Sequence, residues 1–278
     1  MLYLGCPLWA SPHWKNSLFT SDAKPAEFLP QYSRFFNTVE GNTSFYTDPT
    51  PSTLTRWQQE TPADFRFVLK VPQRISHHNH ADSVQQLSDW LTLVNILGEK
   101  LALVHLQLPA RIGPADLSII SQYTATISSR VPCALEVRHP AFFDKAEHEI
   151  GLHRLLQHHG AERVVFDSRA LFSVPATTPA LLDAQAKKPK LPVHAISFSQ
   201  TPMLRFIGTD NMELNRQFYQ PWLTKVQQWL DEGKSPFCFF HTPDNQLSPQ
   251  LCRQFAADLS YSHRCLGLWP GEQQFSLL

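Results

Sequence analysis

The chain has 278 residues, 42% apolar and 17% charged, and its 24 Lys and Arg balance 24 Asp and Glu for a formal net charge of zero. That size can bury a substantial core as two small domains or as one (β/α) barrel, which commonly runs to about 250 residues. The balanced charge speaks against a general polyanion binder, which carries a basic surplus.

Eight apolar runs rich in Val, Ile, Leu and Phe recur, with helical patterns between them. Leu2–Leu4 comes first, and Pro25–Phe36 follows with a proline in its first helical turn. Thr38–Asn42 is the second strand; after it Thr50 reads as an N-cap with Pro51 at the first helical position, leading into Leu54 and Trp57. Phe65–Val71 is the third. Asp82 then precedes Val84, Leu87, Leu91 and Val94 at helical spacing, with Gly98 as the stop. Leu101–Leu108 leads to Pro114 and a helix carrying Leu117, Ile120 and Ile127. Cys133–Arg138 leads to a helix over Gly151–His159 that ends at Gly160. Arg163–Phe166 runs into an irregular insert, 177–192, whose Ala, Lys and Pro content predicts an exposed excursion with a short helix near Leu181. Met203–Ile207 precedes a long helix marked by Phe218, Trp222, Val226 and Trp229 and ending near Gly233. Phe237–His241 precedes Ser248-Pro249 and a last helix with Leu251, Phe255 and Leu259.

Strand and helix repeated eight times without a linker predict an α/β protein, a (β/α)8 TIM barrel forming a single domain over 1–278. An open doubly wound sheet is the alternative, weakened by the lack of a GxGxxG or GxxxxGK[ST] phosphate loop. Cys6, Cys133, Cys238, Cys252 and Cys265 form an odd set with no CxxC pair and read as reduced, buried thiols. No run has the roughly 20 apolar residues of a membrane span. No basic-then-apolar leader precedes Leu2, so a soluble cytoplasmic protein with no membrane partner is expected.

Several strands end in polar residues where a loop should begin, and barrel active sites form at those C-terminal ends. Alternation groups Glu40 with Asn42, Val68 with Lys70, His105 with Gln107, Glu136 with Arg138, Val165 with Asp167, and Phe239 with His241, while Arg205 sits earlier on its strand. The expected mouth therefore sets Glu40, Glu136 and Asp167 against Lys70, Arg138 and Arg205, with Asn42, Gln107 and His241 among them. A purely structural ion-pair network is the competing account, although buried pairs are weak evidence for stability and the fold needs none of these groups.

Three chemistries fit such a mouth. A two-carboxylate glycosidase is disfavoured because the fourth strand ends in Gln107-Leu108-Pro109 with no acid. A divalent metal held by Glu40, Glu136, Asp167 and His241 would suit an isomerase or phosphodiester hydrolase, but Lys70 and Arg138 compete for the same carboxylates. The His77-His78-Asn79-His80 tract matches no ligand spacing and reads as a solvated loop. The favoured reading is a metal-free site, with no cofactor assigned, for a small anionic or polyhydroxylated molecule. Lys70, Arg138, His139 and Arg205 would serve as anchors, with Asn42, Gln107, Asp244 and Asn245 as polar contacts. Glu40, Glu136, Asp167 and His241 would supply acid/base catalysis, and Trp9, Trp14, Tyr46 and Phe142 the aromatic lining. A hydrolase, lyase or isomerase would result. A non-catalytic binding module for a small ligand or for nucleic acid is the other class, and neutral net charge disfavours nucleic acid.

The stretches Thr38 to Tyr46, Phe65 to Lys70, Gln107 to Pro109 and Glu136 to Pro140, with the opening Gly5-Cys6-Pro7-Leu8-Trp9 and Trp14, resemble the domain-of-unknown-function-72 family of barrel proteins over nearly the whole chain. The resemblance implies a barrel and no settled reaction, and it places His77 where the family often has a mouth histidine. Cys6-Pro7 near the start and Phe240-His241-Thr242-Pro243-Asp244-Asn245 near the end depart from the family's usual Gly-Thr-Ser-Gly-Trp and Phe-Asn-Asn types, as in a variant branch.

Overall fold

A computed structural model describes residues 1–77 and 82–273, and within them nine strands run in two wholly parallel sheets. The strands are β1 (Tyr3–Gly5), β2 (Thr38–Gly41), β3 (Arg66–Lys70), β4 (Leu101–Gln107), β5 (Cys133–Glu136), β6 (Glu162–Arg163), β7 (Val165–Asp167), β8 (Met203–Ile207) and β9 (Phe237–His241). One sheet has the order β1-β9-β8-β7 and the other β2-β3-β4-β5-β6. The eight apolar runs account for all of them, because the sixth run is divided at Val164 into β6 and β7. Between them lie α1 (Phe28–Phe35), α2 (Thr43–Tyr46), α3 (Pro51–Glu60), α4 (Gln73–Ser76), α5 (Ser83–Val94), α6 (Leu117–Ser128), α7 (Glu147–His158), α8 (Pro179–Lys187) and α9 (Met212–Asp231), with α10 (Ser248–Asp258) and α11 (Pro270–Gln273) after β9. Local chemistry sets the ends: Thr50 caps α3 by accepting the Thr53 N–H at 3.2 Å, and Gly160 and Gly233 follow α7 and α9 with φ of 62° and 77°.

The two sheets meet at two seams. At one, Val164 donates its N–H to the Leu135 carbonyl of β5 at 2.9 Å, so the chain passes between sheets within a single residue. At the other, the Glu40 N–H donates to the Cys6 carbonyl at 3.1 Å, and side chains complete the join. The Tyr32 hydroxyl accepts from the Cys6 N–H at 2.8 Å and donates to the Thr38 carbonyl at 2.9 Å. Asn37 accepts from the Leu4 N–H at 2.9 Å and donates to the Leu2 carbonyl at 2.8 Å. A Cβ on Gly5 would lie 2.3 Å from the Thr38 oxygen, so this approach requires glycine.

The main core packs the outer strand faces against the helices, drawing in Leu4, Phe67, Leu106, Trp222 and Phe255 among others. A smaller apolar layer, Val68, Leu103, Ala134, Val164, Met203, Phe237 and Phe239, is drawn from strands of both sheets. Two residues further along five of these strands stand Lys70, His105, Glu136, Arg205 and His241. Period two therefore stacks a charged layer on an apolar one.

A second buried ionic cluster lies beyond the strands. Glu149 of α7 holds Arg163 at 2.6 Å and contacts His194, and it accepts the Lys145 N–H at 2.8 Å. His153 lies 3.5 Å from Glu149, and Arg163 also donates to the Phe142 carbonyl at 2.8 Å. Beside it Glu162 accepts from Ser197 Oγ at 2.9 Å and from the Ser199 hydroxyl and N–H at 2.8 and 3.1 Å. All five cysteines are buried, free thiols. Among the described residues no helix is long and apolar enough to cross a membrane.

Candidate functional site

Arg205, at the centre of β8, is the hub of the charged layer. Its Nε lies 2.9 Å from Glu40 Oε1 and its Nη1 donates to Glu136 Oε2. His105 stands between the two acids, with Nδ1 3.2 Å from Glu40 Oε1 and Nε2 3.3 Å from Glu136 Oε2. Neither ring nitrogen forms a hydrogen bond, so these are close contacts of imperfect alignment. His241 Nε2 lies 3.1 Å from Glu40 Oε2. Arg138, just past β5, donates from Nε to Glu136 Oε1 and from Nη2 to Gln107 Oε1, both at 2.8 Å. Glu136 thus accepts hydrogen bonds on both oxygens and Glu40 on Oε2, while Glu40 Oε1 has only its close contacts with Arg205 and His105.

Charge decides the protonation states. Burial alone would raise Glu40, but Arg205, then His105 and His241, outweigh it and hold the carboxyl well below its usual range. Glu136 follows the same pattern: burial opposes, and Arg205 and Arg138 win. Burial pushes His241 down to about 3 against its bond to Glu40, with Arg205 adding to the depression. His241 is therefore neutral at ordinary pH, and with Glu40 anionic its Nε2 carries the proton and donates.

Above this layer opens a cavity of about 700 Å³. Lys70, Gln107, Arg138, Arg205 and His241 form its base, and Pro7, Leu8, Trp9, Asn42, Phe45, Tyr46, Gln73, His77 and Asn245 line its sides. Asp183, Ala184, Lys187 and Lys188 of the insert complete it. The insert is therefore more than an exposed excursion. Thr178 caps α8 by accepting the Leu181 N–H at 3.2 Å, and Leu181 and Ala184 bury against Phe166, Leu171 and Ile207, which lays the helix's C-terminal end beside the mouth.

Two lysines stand apart. Lys70 is 6% exposed, and its Nζ sits 4.0 Å from the centre of the Phe45 ring. Among the described residues Nζ has neither a hydrogen bond nor an ion pair. Burial first, and Arg205 next, lower it to about 7, against the pull of Glu136 and Glu40. Lys188, half-buried and likewise without a side-chain partner among the described residues, is lowered to about 8 by desolvation and then by Arg205.

Glu40, Asn42, Tyr46, Lys70, Gln107, Glu136, Arg138, Arg205, His241, Asn245 and Trp9 thus gather at or directly beneath one cavity. Five expected residues do not join them. Asp167 faces outward, accepting from Trp222 Nε1 at 2.7 Å and pairing with Arg169 at 2.8 Å. Val164 lies in the inner layer and Phe166 lies 5.3 Å from the Arg205 guanidinium, so the inward parity of that strand is the opposite of the expected one. An all-apolar strand carries no alternation to reveal it. His139 folds back to accept the Ala141 N–H at 3.2 Å and packs on Gly113. Trp14 is fully buried and donates to the Asn245 carbonyl at 3.0 Å, supporting the rim from behind. Asp244 is taken up by its own turn, accepting the Gln246 N–H at 2.9 Å. Phe142 is likewise core.

Lys188, Phe45 and the central position of His105 were missed. His105 shares the parity of Gln107, and that signal sufficed to find it; Lys188 lay in a stretch whose composition looks solvated. His77 does line the cavity, with Nδ1 3.0 Å from Ser76 Oγ, whereas His78, Asn79 and His80 lie outside the described residues. Among the described residues no group of three or more His, Cys, Asp or Glu side chains is disposed to hold a metal ion. The place between Glu40 and Glu136 that a cation would take is filled by the Arg205 guanidinium.

The family model described as protein of unknown function DUF72 matches residues 3–274. The chain is 38% identical over 281 residues to UPF0759 protein YecE of Escherichia coli K12, covering 100% of both proteins. It is 27% identical over 157 residues to UPF0759 protein YunF of Bacillus subtilis, covering 54% of this chain and 55% of that protein. A DUF72 family protein from Enterococcus faecalis V583 superposes with a TM-score of 0.73 at 17% identity, covering 95% of this chain and 97% of that one. One from Thermotoga maritima MSB8 superposes with a TM-score of 0.66 at 18% identity, covering 94% and 99%. These two likenesses establish a shared α/β fold.

Proposed function

We propose, for a chain that belongs to the DUF72 family of proteins of unknown function, that the two sheets are halves of one closed, single-domain (β/α)8 barrel whose mouth binds a small anionic molecule. The bonded seams and the inner apolar layer drawn from both sheets support closure. A surplus of cations carries the ligand reading. Arg205, Arg138, Lys70 and Lys188 face or flank the cavity, while Glu40 and Glu136 are spent on the two arginines and Asp183 pairs with Lys187. An anion between Lys70 and Lys188 supplies the missing counter-charge.

In this reading Glu40 and Glu136 position Arg205 and Arg138. On this reading they serve the guanidiniums and not the acid/base role the sequence suggested, since Arg205 and Arg138 hold their carboxyls well below the usual range. Trp9, Phe45 and Tyr46 supply an apolar wall for the non-ionic part of the ligand. Confinement by α8 favours a small molecule over a nucleic-acid strand. The buried free thiols fit a reducing cytoplasmic setting.

Thermal-shift and calorimetric titrations with inorganic phosphate, oxalate and glucose test the reading. The two anions should stabilise the protein and glucose should not, and the anion effect should fade as pH rises through about 8, where the lysines lose their charge. An equal response to glucose, or none to either anion, overturns it.

A further inference from the structure

An anchoring lysine is served best by a carboxylate or by open water, since both stabilise the ammonium. Lys70 has the reverse surroundings. The adjacent strands bury its stem and the guanidiniums of Arg205 and Arg138 are its cationic neighbours, which together oppose the one favourable contact of the ammonium, the Phe45 ring face 4.0 Å from Nζ. Glu40 and Glu136 face it too, but are held by those arginines; His105, its register partner on β4, stands between them. His77, His241 and Lys188 are the remaining titratable groups around the same cavity. Desolvation beside another cation is one of the arrangements that free an amine's lone pair at neutral pH. The strand end also fixes this amine at the cavity base, with the anion-holding groups Lys188 and Arg138 bordering the same cavity.

Resting on the anion-site reading, we propose that Lys70 is a nucleophile that condenses with an aldehyde or ketone bearing an anionic group, so that the cavity takes a small oxo acid or oxo phosphate. The neutral Nζ adds to the carbonyl carbon, and the carbonyl oxygen takes a proton to give a carbinolamine. That hydroxyl then leaves with a second proton as water. Overall the ammonium and the carbonyl compound become an iminium and one water, with no change in charge and no oxidant or reductant required. The positive charge stays at the position the ammonium held, facing Glu136 and Glu40. Lys188 or Arg138 holds the carboxylate or phosphate, and Lys70, buried at the cavity base, supplies the amine.

Borohydride trapping tests this on the wild-type protein. Glyoxylate and dihydroxyacetone phosphate are added separately, each adduct is reduced, and the modified lysines are located by peptide mass mapping. At pH 7.5 Lys70 should be modified at least about tenfold faster than surface lysines, whose ordinary pKa leaves only about 0.1% of them neutral. The rate should rise between pH 6 and 7.5 and fall again above about 8 as the anion anchor is lost, and inorganic phosphate should protect. Preference for glyoxylate identifies an oxo acid and preference for the other probe an oxo phosphate. Uniform modification of surface lysines, or modification of Lys188 in preference to Lys70, overturns the proposal. Phosphate binding is read in parallel. Intact binding with an unmodified Lys70 refutes the nucleophile alone, whereas loss of both refutes the anion site as well. Lys70→Arg should keep phosphate binding and abolish trapping at this position.

Discussion

Two buried ionic clusters, one at the strand ends and one on the outer wall, use the same residue types and differ in balance. In the wall cluster Glu149 meets Arg163, His194 and His153, and Arg163 Nη2 donates to the Phe142 backbone carbonyl. Its guanidinium and its carboxylate neutralise each other, and together with Glu162 the cluster ties the 193–199 segment to the strands. In the mouth cluster Arg205 and Arg138 neutralise Glu40 and Glu136, and Lys70 and Lys188 border the same cavity with no carboxylate partner among the described residues. On the proposed reading the mouth takes its counter-charge from a ligand, whereas Glu149 and Arg163 on the wall already supply each other's. The contrast separates a structural network from a site more sharply than burial or residue type.

Substitutions can break or sharpen that contrast. The largest effect is expected at the hubs. Arg205→Leu leaves two carboxylates buried without their partner and should cost about 3–5 kcal/mol in chemical denaturation, and Arg163→Leu should cost a similar amount. Only the first should abolish phosphate binding; loss of binding from both would erase the distinction.

Lys70→Met comes next, and its sign is the informative part. The folded protein releases this proton near 7, while the unfolded chain keeps it to about 10.5. Stability therefore rises with pH across that window, and at or below neutrality the protein bears the cost of a buried ammonium. Removing the amine should stabilise the protein by about 2–3 kcal/mol at pH 7 while weakening phosphate binding. His194→Ala on the wall should instead destabilise by about 1–2 kcal/mol. A destabilised Lys70→Met protein would mark the mouth as structural.

Acid titration gives a smaller signal. His241 is protonated near 6.5 when unfolded and near 3 when folded, so its contribution is lost as pH falls through that interval. Glu40 and Glu136, depressed in the fold, add stability above their ordinary 4.5 that is lost below it. His241→Asn should flatten the stability–pH curve between pH 6.5 and 3 and cost about 1 kcal/mol at pH 7 for the hydrogen bond to Glu40. An unchanged slope would place that proton uptake elsewhere. The smallest stability change, within about 0.5 kcal/mol, is expected for half-buried Lys188→Ala, with a five- to tenfold loss of phosphate affinity.

The periodic parts of this architecture were legible before any coordinates. Thr50-Pro51, Gly160 and Gly233 set helix ends where their chemistry required, and the alternation Val68/Lys70 and Phe239/His241 matches the charged layer stacked on the apolar one. Asp167 was misassigned because Val164 to Phe166 is apolar on both faces and gives no parity, and the break at Val164 is invisible in composition. Lys188 was hidden for another reason. Its chain neighbours Lys187, Pro189 and Lys190 read as solvated, and only the burial of Leu181 and Ala184 turns the segment toward the mouth. Strand pattern is a local property, whereas the placement of a loop over a site depends on partners far along the chain.

The Tyr32 and Asn37 splice bears on the order in which the chain can assemble. β1 pairs with β9, more than two hundred residues away, and an interaction that remote forms late. Tyr32 and Asn37 lie within about thirty-five residues of their β1 partners, so the first strand acquires hydrogen-bonding company from its own neighbourhood long before β9 leaves the ribosome. Contacts made early belong to the folding transition state, so Tyr32→Phe should chiefly slow refolding and leave unfolding nearly unchanged, a result that a chevron plot reads directly.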